Sequence, residues 1–332
     1  MTILKNTISL CPVCYRQIPG QVVTDGYSVF MKKTCPIHDE TISMIECSLD
    51  FYLFTMEHNS DIYEGHLIDV TERCDLKCKY CYYAKGTKDI DAKLIINEAR
   101  VNTGPYILTG GEPTLRDDLP QILRDVKQIG ETHFLTNGSG FVDRKYLKEC
   151  AESASVFNGY NCIGFSYHPE QIYFSEIVEN MKAENIKPKV LFWVIDNLDQ
   201  IPDVVKFAEK HKGMFGDVRI KVASNVWSQS ETSKLFVSQV VGFFKAMKGD
   251  LKLYNKGKSS FYPIMFNGIT YLIISWMDAT NIDCLDIHCP PTYRAKNGEV
   301  TDFVTAMLIN EGISKGWLNG EPFNRRAYPS NE

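Results

Sequence analysis

The sequence predicts an α/β protein whose parallel sheet is curled into a barrel or part of one, and three observations carry this. Short apolar strands alternate with amphipathic helices six times across the middle of the chain, a rhythm that calls for parallel strands joined by right-handed crossovers. The cysteine cluster Cys74-Asp-Leu-Lys-Cys78-Lys-Tyr-Cys81 follows the first of these strands directly, and Gly110-Gly111-Glu112-Pro113 follows the second. Barrel-type α/β folds keep their chemistry at such C-terminal strand ends.

Bulk properties narrow the class. The 332 residues are enough for one large domain or two modest ones, and 44% hydrophobic content is ordinary for a globular chain. A net charge of -5 gives no reason to expect a nucleic-acid partner. Residues 1–10 lack a secretion signal, and no apolar stretch reaches membrane-spanning length. The expectation is a cytoplasmic protein with no membrane span. Eleven cysteines in a reducing compartment point to metal or catalysis rather than disulfides.

In chain order, residues 1–60 read as a metal-binding ribbon and linker. Cys11-Pro-Val-Cys14 and Cys35-Pro-Ile-His38 bracket an alternating segment, Gln21 to Lys33, with a turn at Asp25-Gly26. These paired spacings suit Zn or a single Fe held by Cys11, Cys14, Cys35 and either His38 or Cys47. Soft thiolates do not choose between the two metals. Residues 48–65 read as a linker helix.

Residues 61–223 carry the strand–helix rhythm. The strands are His66–Thr71, Pro105–Thr109, Thr132–Thr136, Cys162–Ser166, Pro188–Ile195 and Val218–Val222. The helices between them are Asp89–Arg100, Asp117–Ile129 with Asp117 or Asp118 as cap, Arg144–Ser153, Pro169–Asn185 and Asp199–His211. Residues 224–332 form a C-terminal α+β extension: a helix over Thr232–Lys248, strands at Lys252–Tyr254 and Gly268–Trp276, and a final helix over Asp302–Leu318. Cys150 and Cys162 read as core thiols, as free cysteine is often buried. Cys284 and Cys289, flanking His288, supply only half a cluster's ligands. His133 and His168 lie near strand ends, where a pocket-facing role competes with a structural one.

The C-x3-C-x2-C loop offers three thiolates to an iron–sulfur cube and leaves its fourth iron open. It resembles the signature loop of the radical S-adenosylmethionine (SAM) superfamily. Gly110-Gly111-Glu112-Pro113 resembles that family's GGEP element, and Thr136-Asn137-Gly138 an element of the branch containing the molybdenum-cofactor cyclase. The CPxC…CPxH ribbon resembles that of the tetraether-lipid synthase and pterin-methylating group. The resemblance implies a partial (β/α)6 TIM-type barrel, a [4Fe-4S] cluster on Cys74, Cys78 and Cys81, and SAM bound at the open iron. It further implies SAM contacts from Gly110, Gly111, Glu112, Thr136, Asn137, Ser166 and the backbone at Tyr80. Each has a plainer reading: Glu112 as a brace paired with a cation, Thr136-Asn137 as turn chemistry, Ser166 as a helix cap, Tyr80 as packing. No side chain is assigned a catalytic role of its own.

The function expected is reductive SAM cleavage and hydrogen abstraction from a small metabolite, lipid-like or pterin-like, with an electron donor such as flavodoxin or ferredoxin. A peptide-modifying maturase is the enzymatic alternative. A non-catalytic iron–sulfur or zinc module is the alternative from another class, and it gives no reason for glycines and a carboxylate at the second strand's end.

Overall fold

A computed structural model describes residues 1–13, 17–56, 65–78, 81, 86–222, 235–254, 261–275, 293–296 and 299–302. The first part is a four-stranded antiparallel sheet in sequential order: β1 (Thr2–Leu10), β2 (Gln17–Thr24), β3 (Val29–Cys35) and β4 (Asp39–Glu46). The β2–β3 turn follows from its residues. The Asp25 carboxylate accepts from the amides of Tyr27 and Ser28 at 2.9 and 2.8 Å, and Gly26 takes φ 101°. Buried Val22, Val29 and Met31 pack with Tyr52 of α1 (Leu49–Met56). The same short helix sends Phe51 and Phe54 onto Tyr262, with ring centroids 5.3 and 6.2 Å apart. It is the predicted linker helix, and it touches both sheets.

The larger sheet contains all six predicted strands. They are β5 (His66–Thr71), β6 (Tyr106–Gly110), β7 (Thr132–Thr136), β9 (Tyr160–Tyr167), β10 (Pro188–Ile195) and β11 (Asp217–Val222), each parallel to the next. A two-residue strand, β8 (Val156–Phe157), pairs antiparallel with the start of β9. The crossovers are α2 (Ala92–Val101), α3 (Leu119–Lys127), α4 (Arg144–Ser153), α5 (Phe174–Ala183) and α6 (Ile201–Lys210). The fully buried Leu108, Phe134, Phe165, Leu191 and Ile220 mark the helix-facing side of the sheet, against Leu123, Leu147, Ile177 and Val204. Every residue of β5 is buried, the polar His66, Asp69 and Thr71 as well as Leu67, Ile68 and Val70, as expected for a strand covered on both faces.

The C-terminal extension adds strands to both ends of this sheet. After α7 (Val237–Ala246) come β12 (Leu251–Leu253), β13 (Phe261–Phe266) and β14 (Ile269–Ser275), and β14 joins β11 in parallel. At the far end, β15 (Tyr293–Lys296) pairs parallel with β5 and antiparallel with β16 (Glu299–Asp302). Among the described residues the path from β12 to β16 does not close, which accords with a partial barrel.

Several expectations shift. The β15–β16 pair was not predicted, and Asp302, expected to open a helix, ends β16. The rest of that expected helix lies outside the described residues, as do Cys284, His288 and Cys289. Asp89 does not start α2. Asp91 is the N-cap and accepts from the Lys93 amide, while Asp89 bridges to Thr71. Asp118 stands at the N-cap of α3 but makes no side-chain cap, because its carboxylate is held by Arg116 at 2.8 Å.

Candidate active site

The cysteine loop leaves β5 at Thr71 and is fastened at once to the end of β6. The Gly111 amide donates to the Thr71 carbonyl at 2.8 Å, and the Glu112 amide to the Arg73 carbonyl at 2.7 Å. A Cβ on Gly110 would lie 2.3 Å from the Thr71 carbonyl oxygen, and one on Gly111 2.1 Å from that of Arg73. Gly110 also has φ 131°. Both glycines are therefore required by the chain's own backbone, whatever else approaches them.

Two arginines complete the anchorage. Arg73 forks onto Asp89 at 2.8 and 2.7 Å and donates to the Leu115 carbonyl at 2.7 Å. Arg116, only 4% exposed, donates to the carbonyls of Val70 and Ile90, both at 2.6 Å. Each ties the end of β5 to a separate piece of backbone through directional, charge-assisted bonds.

Glu112 is buried and joins two strand ends. Its Oε1 accepts from the Thr114 amide (2.9 Å) and the hydroxyls of Thr114 and Thr136 (both 2.5 Å). Its Oε2 accepts from the Asn137 amide at 2.7 Å. Burial pushes its carboxyl upward, against these bonds. The brace is thus made through hydroxyls and amides rather than the cation considered from sequence. The Thr136 hydroxyl also accepts from the Gly138 amide at 2.8 Å. Asn137 reaches back to the cysteine loop, its Nδ2 donating to Asp75 at 3.2 Å. The Ser139 hydroxyl lies 2.5 Å from both Asp75 and Asn137 Oδ1, and Gln171 donates to it at 2.9 Å. Asp75, Ser139 and Gln171 were not singled out from sequence, because no short spacing links them.

Cys74 and Cys78 are half-buried and Cys81 is exposed. The Cys81 amide donates to the Cys78 carbonyl at 3.1 Å, closing a turn in the loop. His168, beyond the end of β9, lies with Nδ1 3.2 Å from Cys78 Sγ, and Glu170 joins the pair within 4.8 Å. Ser166 is half-buried, and its hydroxyl has no partner among the described residues. Since Phe165 points to the helices, alternation turns Ser166 to the inner face. Tyr80 lies outside the described residues. His133 sits early in β7, away from the loop, with Nε2 2.5 Å from Glu131. Cys150 and Cys162 are buried, and burial pushes their thiols up to about 12 and about 11.

The ribbon holds a second cluster. Cys11 and Cys35 are buried, and each Sγ lies 3.5 Å from His38 Nδ1, all three donors being within 4.8 Å of one another. Bonds from the Ile37 backbone, then from His38 and Cys11, hold the Cys35 thiol down at about 6. Cys47 is elsewhere, its Sγ 3.3 Å from the Ser238 hydroxyl on α7. Of the two fourth-ligand alternatives, His38 is thus the one beside Cys11 and Cys35. Cys14 lies outside the described residues.

Comparison with known proteins bears on both clusters. Residues 68–198 match the radical SAM superfamily, and residues 3–46 match the HMPTM N-terminal zinc ribbon domain. Over these spans the chain is similar to a radical SAM domain preceded by a zinc ribbon. It is 29% identical over 189 residues to the 7,8-dihydro-6-hydroxymethylpterin dimethyltransferase of Methanocaldococcus jannaschii, covering 45% of this chain and 37% of that protein. It is 28% identical over 159 residues to the pre-heme d1 synthase of Dinoroseobacter shibae, covering 42% and 39%. The chain thus spans well under half the length of these relatives. The crystal structure of Streptococcus suis SuiB bound to precursor peptide SuiA aligns with a TM-score of 0.42 and 19% identity, over 57% of this chain and 46% of that one.

A radical SAM core implies a [4Fe-4S] cluster and SAM, and the zinc ribbon implies a metal-binding N-terminus. The donor sets fit: three thiols on one pinned loop at a strand end, and two thiols with an imidazole converging in the ribbon.

Proposed function

We propose that the chain holds a [4Fe-4S] cluster on Cys74, Cys78 and Cys81, cleaves SAM reductively, and takes hydrogen from an unactivated C–H of a small pterin-like or lipid-like substrate. The observation that carries this is the frame in which the amides of Gly111 and Glu112 clasp the first residues of the cysteine loop. When bound, the cluster supplies the electron that splits SAM into methionine and a 5′-deoxyadenosyl radical. The protein's own part is placement. Gly110 and Gly111 give the SAM ammonium a strand end without side chains. Glu112, Thr136 and Asn137 keep that strand end and the next in register with the loop. The Ser166 hydroxyl, without a partner among the described residues, is offered to the SAM carboxylate or ribose, and the Tyr80 backbone to adenine.

In this reading residues 1–60 are the ribbon and linker, with zinc on Cys11, Cys14, Cys35 and His38. Residues 61–223 are the barrel and 224–332 the extension that shapes the substrate pocket. A flavodoxin or ferredoxin supplies electrons. The pterin tilt rests on the ribbon match and on the pterin dimethyltransferase relative.

The test is anaerobic reconstitution with iron and sulfide, followed by SAM and dithionite. 5′-Deoxyadenosine is expected, and it vanishes in Cys78→Ala. A cluster that forms without SAM cleavage under any reductant would sink the enzyme reading. Adding 7,8-dihydro-6-hydroxymethylpterin is expected to speed 5′-deoxyadenosine formation, and no acceleration removes the pterin tilt alone.

A further inference from the structure

We propose that a cavity between α5 and α6 is a second ligand site, separate from the cysteine loop, for a planar heteroaromatic molecule that carries a phosphate. The cavity measures about 450 Å³, within the range of small-molecule sites. Its apolar floor is Trp193, Phe174 and Phe207, with ring centroids 5.4 to 6.5 Å apart. Trp193 belongs to the helix-side core. Its neighbour Phe192 therefore points the other way, and the sheet separates this cavity from the inner face that carries Ser166.

Of the groups around the floor, Glu179 is paired with Lys182 at 2.7 Å and Gln200 accepts from the amides of Asp196 and Asn197, which leaves Lys206, Lys210 and Asp203 for a ligand. His211 lines the cavity at only 6% exposed, its ring 4.4 Å from that of Phe207. Lys206 and Lys210 are exposed and one turn apart on α6, and neither makes an ion pair among the described residues. Two free ammonium groups on one helix face suit a phosphate better than a single carboxylate. Asp203, also exposed and at the wall, has no hydrogen-bond partner among the described residues and offers its carboxylate to ring N–H groups. An aromatic floor, two cations to one side and an acceptor for ring N–H describe a purine monophosphate-like ligand rather than a lipid or a peptide.

The probe is guanosine 5′-monophosphate, whose ring edge presents adjacent N–H donors. Calorimetric titration uses the full reconstituted chain, anaerobic and with saturating SAM so that the SAM site is filled. Guanosine and ribose 5-phosphate serve as the two half-ligands. The expected result is saturable guanosine 5′-monophosphate binding, with each half-ligand at least tenfold weaker. In the double variant Lys206→Glu, Lys210→Glu, affinity should fall at least tenfold while 5′-deoxyadenosine formation is unchanged. Both lysines are exposed, so folding is retained. No binding at millimolar concentration, equal binding by the variant, or a half-ligand that binds as well as the whole would each overturn the proposal. Because the readout is heat of binding, it stands whether or not SAM is cleaved.

Discussion

The ribbon and the cysteine loop both present thiols, but in opposite ways. In the ribbon, Cys11 and Cys35 are buried and converge with His38 to 3.5 Å from strands that are otherwise ordinary hairpins. Tetrahedral zinc with bonds of about 2.3 Å to sulfur sets donors about 3.8 Å apart, so this site is drawn to the size of one ion. At the cysteine loop the backbone leading in, at Thr71 and Arg73, is clasped by the end of β6, and the thiols are left half-buried or exposed. Among the described residues, His168 and Glu170 lie with Cys78, their donor atoms within 4.8 Å of one another. A site that closes on its metal serves stability. A site whose lead-in is fixed and whose thiols stay partly exposed can hold something that must also meet a substrate.

The largest effect expected is a separation of metals. Cys78→Ala should lose the iron–sulfur absorption and all 5′-deoxyadenosine while keeping zinc. Cys35→Ser should lose zinc and keep iron. Metal analysis of both variants decides this, and a variant that loses both metals ends the contrast. Gly111→Ala comes next, because its Cβ would meet the Arg73 carbonyl at 2.1 Å. Backbone must shift at a cost of about 3 kcal/mol. SAM cleavage should drop at least tenfold with ribbon zinc intact, and an unchanged rate would show that the glycine clasp is not needed.

Glu112→Gln is expected to cost about 1–2 kcal/mol, because an NH2 replaces one acceptor among donors. Denaturant unfolding reads this directly, and no loss would mean that the brace carries no stability. The smallest effect belongs to the junction of the two regions. Glu46 is fully buried at the end of the ribbon and accepts from the Ser238 hydroxyl and the amides of Cys47 and Ser48. Burial raises its carboxyl above the ordinary 4.5. A raised acid contributes its full stability below the unfolded value, and that contribution is lost as pH rises through the folded value. Glu46→Gln should therefore flatten the fall of the thermal midpoint above pH 4.5, and an identical slope would remove this assignment.

What the sequence made legible was whatever is local. Pro188–Ile195 reads as a strand from its own apolar run, and the structure has the same bounds. The cysteine triad and the two glycines are visible because their chemistry lies within a few residues. Asp89 was misplaced, and Asp118 stands at the expected N-cap without a cap bond, because both carboxylates bind arginines, and nothing in helix periodicity reveals a competing guanidinium. Cys47 was left open as a ligand, and its actual neighbour, Ser238, is 191 residues away. The β15–β16 pair did leave a signal, since Asn297-Gly298 between two short runs is a hairpin dipeptide. His168 shows the limit from the other side. Its type suggested a role, but only the fold could put it against Cys78.

The parallel pairing of β15 with β5 has a consequence for how the protein is made. The strand that carries the cysteine loop emerges from the ribosome early, but one of its edges has no partner until residues 293–296 have been synthesised. Nearly the whole barrel must exist before that edge is covered. Through that interval the nascent chain presents an unpaired strand edge beside three thiols, a combination prone to aggregation and oxidation. Cluster delivery to this protein is therefore better timed after translation than during it.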